Sequence, residues 1–471
     1  MGGVKEFFSR YLSLVDDHEA FLASLERPLP VCFWVNPVKT TEAPLLAHLR
    51  QLGVQPVPLG WYPTAFRVDT WPRPGATLPF LAGWYYLQEE IALTAVAALD
   101  PQPGERVVDL CASPGGKTAQ IALRVGPTGL VVANESQLAR LSGLRATVDR
   151  LGLLNVVVTW GDGRTLALPQ GVWDRVLVDA PCTGEGTVRK PDQRWRPAPL
   201  AFRKALYALQ RRLLERALAL AKPGGVVVYS TCTFDPEENE AVLDAVLGEA
   251  AFVEPFCLPG LSARPGITSW QGRSFRADVV HAQRFWPHLN DTGGFFVARL
   301  RRTAAPVDQR STRVPAVRVP AFVPATGAAV ASLMARFGIA EQAFAEVAFW
   351  QRGGRVVWMA HRHVQPEWAV AVEGLGTPLA QHTPHGIKPK TFALQYLAPH
   401  IRSAAVELPD AEACRRFVSG QSQNLPAQDV APGYVLVRYG PFALGCGLYS
   451  RGQLHSQMPA ALRGEYALPS G

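Results

Sequence analysis

Between about residues 98 and 302, short apolar runs alternate with helix-like segments, and that alternation leaves the chain few ways to bury both. A parallel sheet flanked by helices is the ready solution, because each crossover between parallel strands is long enough to lay a helix on the sheet. The spacing predicts strands at 106–110, 129–134, 156–159, 175–179, 226–230 and 294–300. The clearest helix runs from about 201 to 221, where Leu206, Leu209, Leu213, Leu214, Ala217 and Leu220 share one face. Lys222-Pro223-Gly224-Gly225 then stops it, as Gly and Pro beyond a last turn do.

The 471 residues exceed what one core accommodates, so further domains are expected on either side. Residues 1–97 read as a small α+β domain, with Phe7, Tyr11, Leu12 and Val15 at helix spacing and a strand-like run at 31–36. Residues 98–302 form the doubly wound domain. The Pro/Arg-rich stretch 303–325 reads as a linker, 326–400 as a small mixed α/β domain and 401–471 as a β-rich domain.

Seven cysteines are scattered singly, without a CxxC pair or histidines at zinc spacing, so neither a metal site nor a disulfide framework is expected. Free thiols fit a reducing compartment. No apolar run reaches the roughly 18–20 residues that span a bilayer. The first residues, Met1-Gly2-Gly3-Val4-Lys5-Glu6, lack the layout of a secretion signal. The expectation is a cytoplasmic chain with no membrane partner, and nothing in it calls for an obligate oligomer. Net charge is +8, and only eight of the 47 basic residues are Lys. An arginine-rich basic chain favours a polyanionic partner, since guanidinium groups grip phosphates bidentately and stack on bases.

Three features in strand order point to a nucleoside cofactor. The strand ending Val107-Val108-Asp109-Leu110 runs into Cys111-Ala112-Ser113-Pro114-Gly115-Gly116-Lys117-Thr118, where glycines before a helix let a ligand approach backbone N–H groups. The next strand ends at Glu135, placed to hold ribose hydroxyls, and Asp162 follows the third, where it can accept from an adenine amino group. Neither GxGxxG nor GxxxxGK[ST] is present, which disfavours dinucleotides and nucleoside triphosphates and favours S-adenosylmethionine.

Two later strands end in Asp179-Ala180-Pro181-Cys182 and Tyr229-Ser230-Thr231-Cys232, and carboxyl ends of parallel strands converge on one crevice. Methylation at carbon 5 of cytosine needs a thiolate that adds to carbon 6, an acid at N3 and a base for the carbon 5 proton. Asp179, Cys182 and Cys232 offer such a set, although their positions do not rank the two thiols. Arg189, Lys190, Arg194 and Arg196 follow closely and can both favour a thiolate and hold RNA phosphates, while Trp195 can stack on a base.

Together, Cys111–Thr118, Asp179–Gly186 (Asp-Ala-Pro-Cys-Thr-Gly-Glu-Gly), Tyr229–Thr233 and Pro236–Glu240 (Pro-Glu-Glu-Asn-Glu) resemble the NOP/Sun family of RNA cytosine-5 methyltransferases. The resemblance covers about residues 1–302, through Val35-Asn36, Gln88-Glu89 and Arg189-Lys190 as well. The C-terminal extension, through Leu444–Leu448 and Met458–Arg463, is similar to the PUA-like tail of bacterial members that act on small-subunit ribosomal RNA. It implies a Rossmann-like catalytic domain between an N-terminal RNA-positioning domain and a PUA-like RNA-binding domain. It also implies that Cys232 is the nucleophile and that Cys182 assists product release. Cys111, Ala112, Ser113, Pro114, Gly115, Gly116, Lys117, Glu135, Asp162 and Asp179 would line the S-adenosylmethionine site, with Arg189, Lys190 and Arg194 toward RNA.

The chain departs from the family pattern in places. Trp34 stands two before Asn36 where Arg is usual, and Glu90-Ile91 replaces small residues after Gln88-Glu89. Cys446, Leu448 and Gln457 replace the Trp, Lys and aromatic or His character of the tail. The implied partner is ribosomal RNA or the small ribosomal subunit, with no metal. A transfer RNA or large-subunit enzyme, and a non-catalytic ribosome-assembly factor, are the rival readings.

Overall fold

The computed structural model describes residues 6–190, 196–306, 322–365, 370–384, 386–425 and 429–468. Arg194 and Trp195, and residues 307–321 of the expected linker, lie outside the described residues. The N-terminal domain carries a four-stranded antiparallel sheet of β1 (Val31–Val35), β2 (Val57–Pro58), β3 (Ala65–Val68) and β4 (Tyr85–Leu87), in the order β2-β3-β1-β4.

The catalytic sheet is built on β5 (Arg106–Asp109), β6 (Leu130–Glu135), β7 (Val156–Trp160), β8 (Trp173–Asp179) and β9 (Ala221–Thr231). These five are parallel, in the order β9-β8-β5-β6-β7. Helices α1 (Gly116–Val125), α2 (Leu138–Leu151) and α3 (Leu200–Leu220) make the β5–β6, β6–β7 and β8–β9 crossovers, while β7 joins β8 through residues 161–172 without a helix. Burial on both faces explains the continuous apolar runs: Val107, Val108, Val176, Leu177, Val178, Val227 and Val228 are fully buried. Strand order reverses at β5 and β8, and the crevice at such a reversal is the usual ligand site of open α/β sheets.

Two antiparallel strands flank the parallel core. β10 (Phe295–Arg302) pairs with β9, which supports the strand expected at 294–300. β11 (Ala371–Leu375) pairs with β7, Ala371 opposite Trp160 and Leu375 opposite Val157. A strand from the segment expected to form a separate small domain therefore closes the edge of the catalytic sheet. That edge exposes backbone N–H and C=O groups that need partners, a demand invisible in local sequence.

Two further five-stranded sheets follow, one from Val323–Pro324 to Gly386–Pro389 and the other from Ala405–Glu407 to Gln453–Ser456. One apolar cluster joins Phe33, Phe66 and Tyr85 of the N-terminal domain to Leu394, Phe417 and Leu444 of the C-terminal part. Polar ties bind the N-terminal domain to α2. The Asn36 side-chain amide donates to Gly83 O and Leu151 O at 2.9 and 3.0 Å, and Arg150 Nη1 to Phe80 O and Tyr85 O at 2.9 and 3.1 Å. Among the described residues no helix is long and apolar enough to cross a membrane.

Arg189 corrects an expectation. Its side chain is fully buried and donates to Arg27 O at 2.9 Å, Pro28 O at 2.9 Å, Thr292 O at 2.8 Å and Asp291 Oδ1 at 2.7 Å. A guanidinium committed to three carbonyls and a carboxylate has no fork left for RNA phosphate, so it clamps the N-terminal segment to the loop before β10. Arg189→Ala is expected to cost about 2–4 kcal/mol in thermal or denaturant unfolding, because buried acceptors lose their donor. The salt dependence of RNA binding should stay unchanged, and a flatter salt slope in this variant would return Arg189 to the RNA-contacting surface.

Candidate active site

The crevice at the carboxyl ends of β5, β8 and β9 is a cavity of about 440 Å³, within the range usual for small-molecule sites. Asp109, Cys111, Ala112, Ser113, Pro114, Gly116 and Lys117 line one wall, and Asp179, Ala180, Lys190 and Cys232 another. Gln88 and Glu89 close it from the N-terminal domain. A larger cleft of about 760 Å³ lies between Trp71 and Arg415, but it contains no cysteine and no group of the strand ends.

The Cys111–Lys117 loop turns into α1 through Gly115 at φ +107°, a left-handed conformation. A Cβ there would also meet Thr147 at 3.0 Å, so glycine is required twice over. Asp109 is buried beneath the loop, accepts from Thr118 Oγ1 at 2.7 Å, and is pushed by burial up to about 7. Asp109 ends β5 in the usual place for a pocket residue, a signal in the sequence beyond the expected cofactor set.

Lys117, the second residue of α1, reaches across to Asp179, with Nζ 2.8 Å from Oδ2. Burial alone would lower the ammonium, but the Asp179 carboxylate more than offsets it and raises Lys117 above its usual value. Ser230 Oγ holds the other Asp179 oxygen at 2.9 Å. Asp179 is thus fixed in orientation from both sides.

Cys182 and Cys232 meet with their sulfurs 3.3 Å apart, as free thiols in hydrogen-bond contact. Their surroundings are unequal. The hydrogen bond from Cys182 lowers Cys232 against burial and Asp179, and Lys190 and Lys117 act in the same direction. That same bond, then burial and the charges of Cys232 and Glu238, push Cys182 well up. When the pair gives up one proton, these surroundings favour the charge on Cys232 and the remaining proton on Cys182.

Other expected residues stand further off. Glu135 is buried at the end of β6, accepts from Gln137 N at 2.7 Å and lies 3.7 Å from Arg140, which itself lines the cavity. Asp162 is outside the cavity wall, and Arg164 embraces its carboxylate, with Nε 3.0 Å from both oxygens. An adenine amino group would have to compete with that guanidinium. Trp34, in the place of a usual Arg, is buried, stacks on Tyr86 at 5.4 Å and donates to Gln88 Oε1 at 3.0 Å. Glu90 is buried too, accepting from Trp61 Nε1 at 3.0 Å and from Arg67 Nε at 2.8 Å. Both departures are absorbed as packing behind the cavity. Cys446 likewise is buried in the last sheet.

Beneath the thiols lies a buried polar group that sequence reading did not assemble. Tyr11 Oη donates to both oxygens of Glu185, at 3.0 and 2.8 Å, and Gln210 of α3 donates to Glu238 and to Pro181 O, each at 2.8 Å. Glu185 and Glu238 fall inside the quoted motifs, which was a signal. Tyr11 and Gln210 had none, since their partners lie far away in sequence.

Three family models match the chain. One, described as 16S rRNA methyltransferase RsmB/F, covers residues 96–301. The N-terminal domain of 16S rRNA methyltransferase RsmF matches 4–90, and the methyltransferase RsmF PUA domain matches 403–464. Ribosomal RNA small subunit methyltransferase F of Klebsiella pneumoniae (strain 342) is 34% identical over 431 residues, covering 87% of this chain and 86% of that protein. Its counterpart in Enterobacter sp. (strain 638) is 32% identical over 475 residues, covering 97% and 95%. A crystal structure of a methyltransferase homologue from Pyrococcus horikoshii is 33% identical with a TM-score of 0.55, covering 63% of this chain and 94% of that one. The thiol-lined crevice, the Rossmann-like sheet and the N- and C-terminal domains together place the chain in the RsmF family of 16S ribosomal RNA methyltransferases.

Proposed function

We propose that the protein transfers a methyl group from S-adenosylmethionine to carbon 5 of a cytidine in small-subunit ribosomal RNA, through a covalent adduct on Cys232. The observation that carries this reading is the pair of thiols 3.3 Å apart, with Cys232 lining the cavity beside Asp179 and Lys117 reaching Asp179 from the facing wall. Its relatives' names support the substrate class, and the PUA domain supports RNA binding.

The residues fit the cofactor. Cys111, Ala112, Ser113, Pro114, Gly116 and Lys117 line the cavity where the loop enters α1, Gly115 packs against Thr147 behind it, and no phosphate-binding fingerprint competes for the site. Cys111–Lys117, Glu135 and Asp179 would hold it, with Asp162 available once parted from Arg164. When bound, S-adenosylmethionine supplies an electrophilic methyl on its sulfonium sulfur.

The chain's own residues supply the rest. A base paired in a duplex is out of reach, so the target cytidine must be unstacked and turned into the cavity. Cys232 attacks carbon 6 as a thiolate while the Lys117–Asp179 pair orients the ring and presents a proton where N3 gains charge. Carbon 5 then takes the methyl group. Once Cys232 is a thioether it no longer bears the charge that raised Cys182, so Cys182 can release its proton to solvent. Its thiolate accepts the carbon 5 proton, the Sγ–C6 bond breaks, and Cys232 leaves as the thiolate. One proton is lost per methyl group transferred, so the cycle balances.

The two cysteines should fail differently. Cys232→Ala should lose turnover by about 10⁶-fold, the scale of nucleophile removal, with no adduct on a denaturing gel. Cys182→Ala should accumulate a covalent protein–RNA adduct with small ribosomal subunits from a deletion strain. Full turnover by Cys232→Ala would end this reading, and mass spectrometry showing the modified cytidine in transfer RNA or large-subunit RNA would move the substrate.

A lowered Cys232 has a definite pH signature. Its thiolate is populated above its own pKa and lost as pH falls through it, so the acid limb of adduct formation should lie below the ordinary thiol value of 9.0. Lys190→Ala should move that limb upward. A limb at or above 9 in the wild-type protein would contradict the assignment of the charge to Cys232.

A further inference from the structure

The two cysteine loops are tied together from below by side chains the reaction itself does not use. Thr183 follows Cys182, and Thr233 follows Cys232. Their hydroxyls meet at 2.8 Å, Thr183 Oγ1 lies 2.6 Å from Glu238 Oε1, and Thr233 Oγ1 lies 3.0 Å from Glu185 Oε2. Thr183 also donates its backbone N–H to Glu238 Oε2 at 3.1 Å. Gln210 bridges that same oxygen to Pro181 O, so Glu238 governs the residues on both sides of Cys182.

Counting protons defines the state of this chain. Two hydroxyls supply two protons, but the three contacts from Glu238 through Thr183 and Thr233 to Glu185 need three. One carboxyl must therefore carry the third. Glu238 receives two N–H bonds and a hydroxyl, a set of donors that favours the anion. Burial raises both carboxyls, and Glu185, with Asp235 adding to its burial, is raised further, up to about 7, so the third proton is assigned to Glu185.

We propose that Glu238 is a positioning residue for product release: as a buried anion it sets Cys182 against Cys232 through Thr183 and Gln210, and the protonated Glu185 locks the Thr183–Thr233 bridge that keeps the two sulfurs in contact. This rests on the covalent mechanism above. Attack by Cys232 depends on Lys117, Lys190 and Asp179, which lie on the cavity side. Uptake of the carbon 5 proton depends on Cys182, which Glu238 holds and whose proton affinity its charge raises. Loss of that charge should therefore slow release more than attack.

The full-length protein, small ribosomal subunits from a deletion strain and S-adenosylmethionine make the test. Glu238→Gln preserves shape while removing charge, and Thr183→Val breaks the bridge while leaving both carboxyl groups in place, with Glu238 losing one hydroxyl donor. Each should form the adduct within about threefold of the wild-type rate yet turn over at least about tenfold more slowly, the worth of one charge-assisted hydrogen bond, so adduct accumulates. A largely unchanged KM with reduced kcat should accompany it. If both variants lose adduct formation and turnover in equal measure, or lose neither, the positioning role is overturned. Cys182→Ala run alongside separates the two levels: adduct there but no excess in Glu238→Gln refutes only the role of Glu238, whereas no adduct in Cys182→Ala refutes the covalent reading itself.

Discussion

The parallel register between β8 and β9 is the constraint on which the site depends. Asp179 lies opposite Ser230, so both chains leave the sheet at one level, and three residues beyond Asp179 and two beyond Ser230 the sulfurs are in contact. A slip of one residue would turn every side chain of a strand to the opposite face and part the thiols. The register is secured beyond the sheet as well. Gly186 N donates to Cys232 O at 2.8 Å and Gly294 N to Gly186 O at 2.9 Å, which stitches the Cys182 loop between β9 and the start of β10. A Cβ on Gly186 would come within 2.0 Å of Gly294 O, so that stitch admits only glycine.

Within this frame, two chemically identical side chains become unlike through the groups around them. Cations reach Cys232 from the cavity, while Cys182 faces the buried carboxylate of Glu238. An anion shared by two thiols settles where positive charge is nearest, and the proton settles on the other sulfur. The asymmetry costs burial of several carboxyl groups. The fold offsets that cost with donors: Tyr11 on Glu185, Thr183 and Gln210 on Glu238, and the guanidinium of Arg284 on Glu240, with Nε 2.7 Å from Oε1.

The flanking domains act on this site through packing. Trp34 and Gln88 bring the N-terminal sheet to the cavity wall, Arg189 pins the N-terminal segment to the loop before β10, and β11 covers the edge of the catalytic sheet at β7. Arg189 also shows where sequence reading fails. A run of basic residues beside a catalytic loop suggests a phosphate-binding surface, yet nothing in the run tells which guanidinium turns inward. Lys190, its neighbour, does face the cavity.

What could be read in the chain was whatever has a short-range cause. Strands buried on both faces must be continuously apolar, a helix must stop at Lys222–Gly225, and the glycine cradle and strand-end cysteines follow from the geometry of parallel sheets. Those local rules bring the Cys111–Lys117 loop, Asp179 and Cys232 to one crevice, with Cys182 against Cys232. Tertiary structure decided the rest: which thiol holds the charge, that Tyr11 and Gln210 serve the site, that Asp162 meets Arg164 first, and that residues 371–375 belong to the catalytic sheet. Each of these depends on a group brought close by folding, and electrostatic and hydrogen-bond energies fall off over a few ångströms of space regardless of separation along the chain.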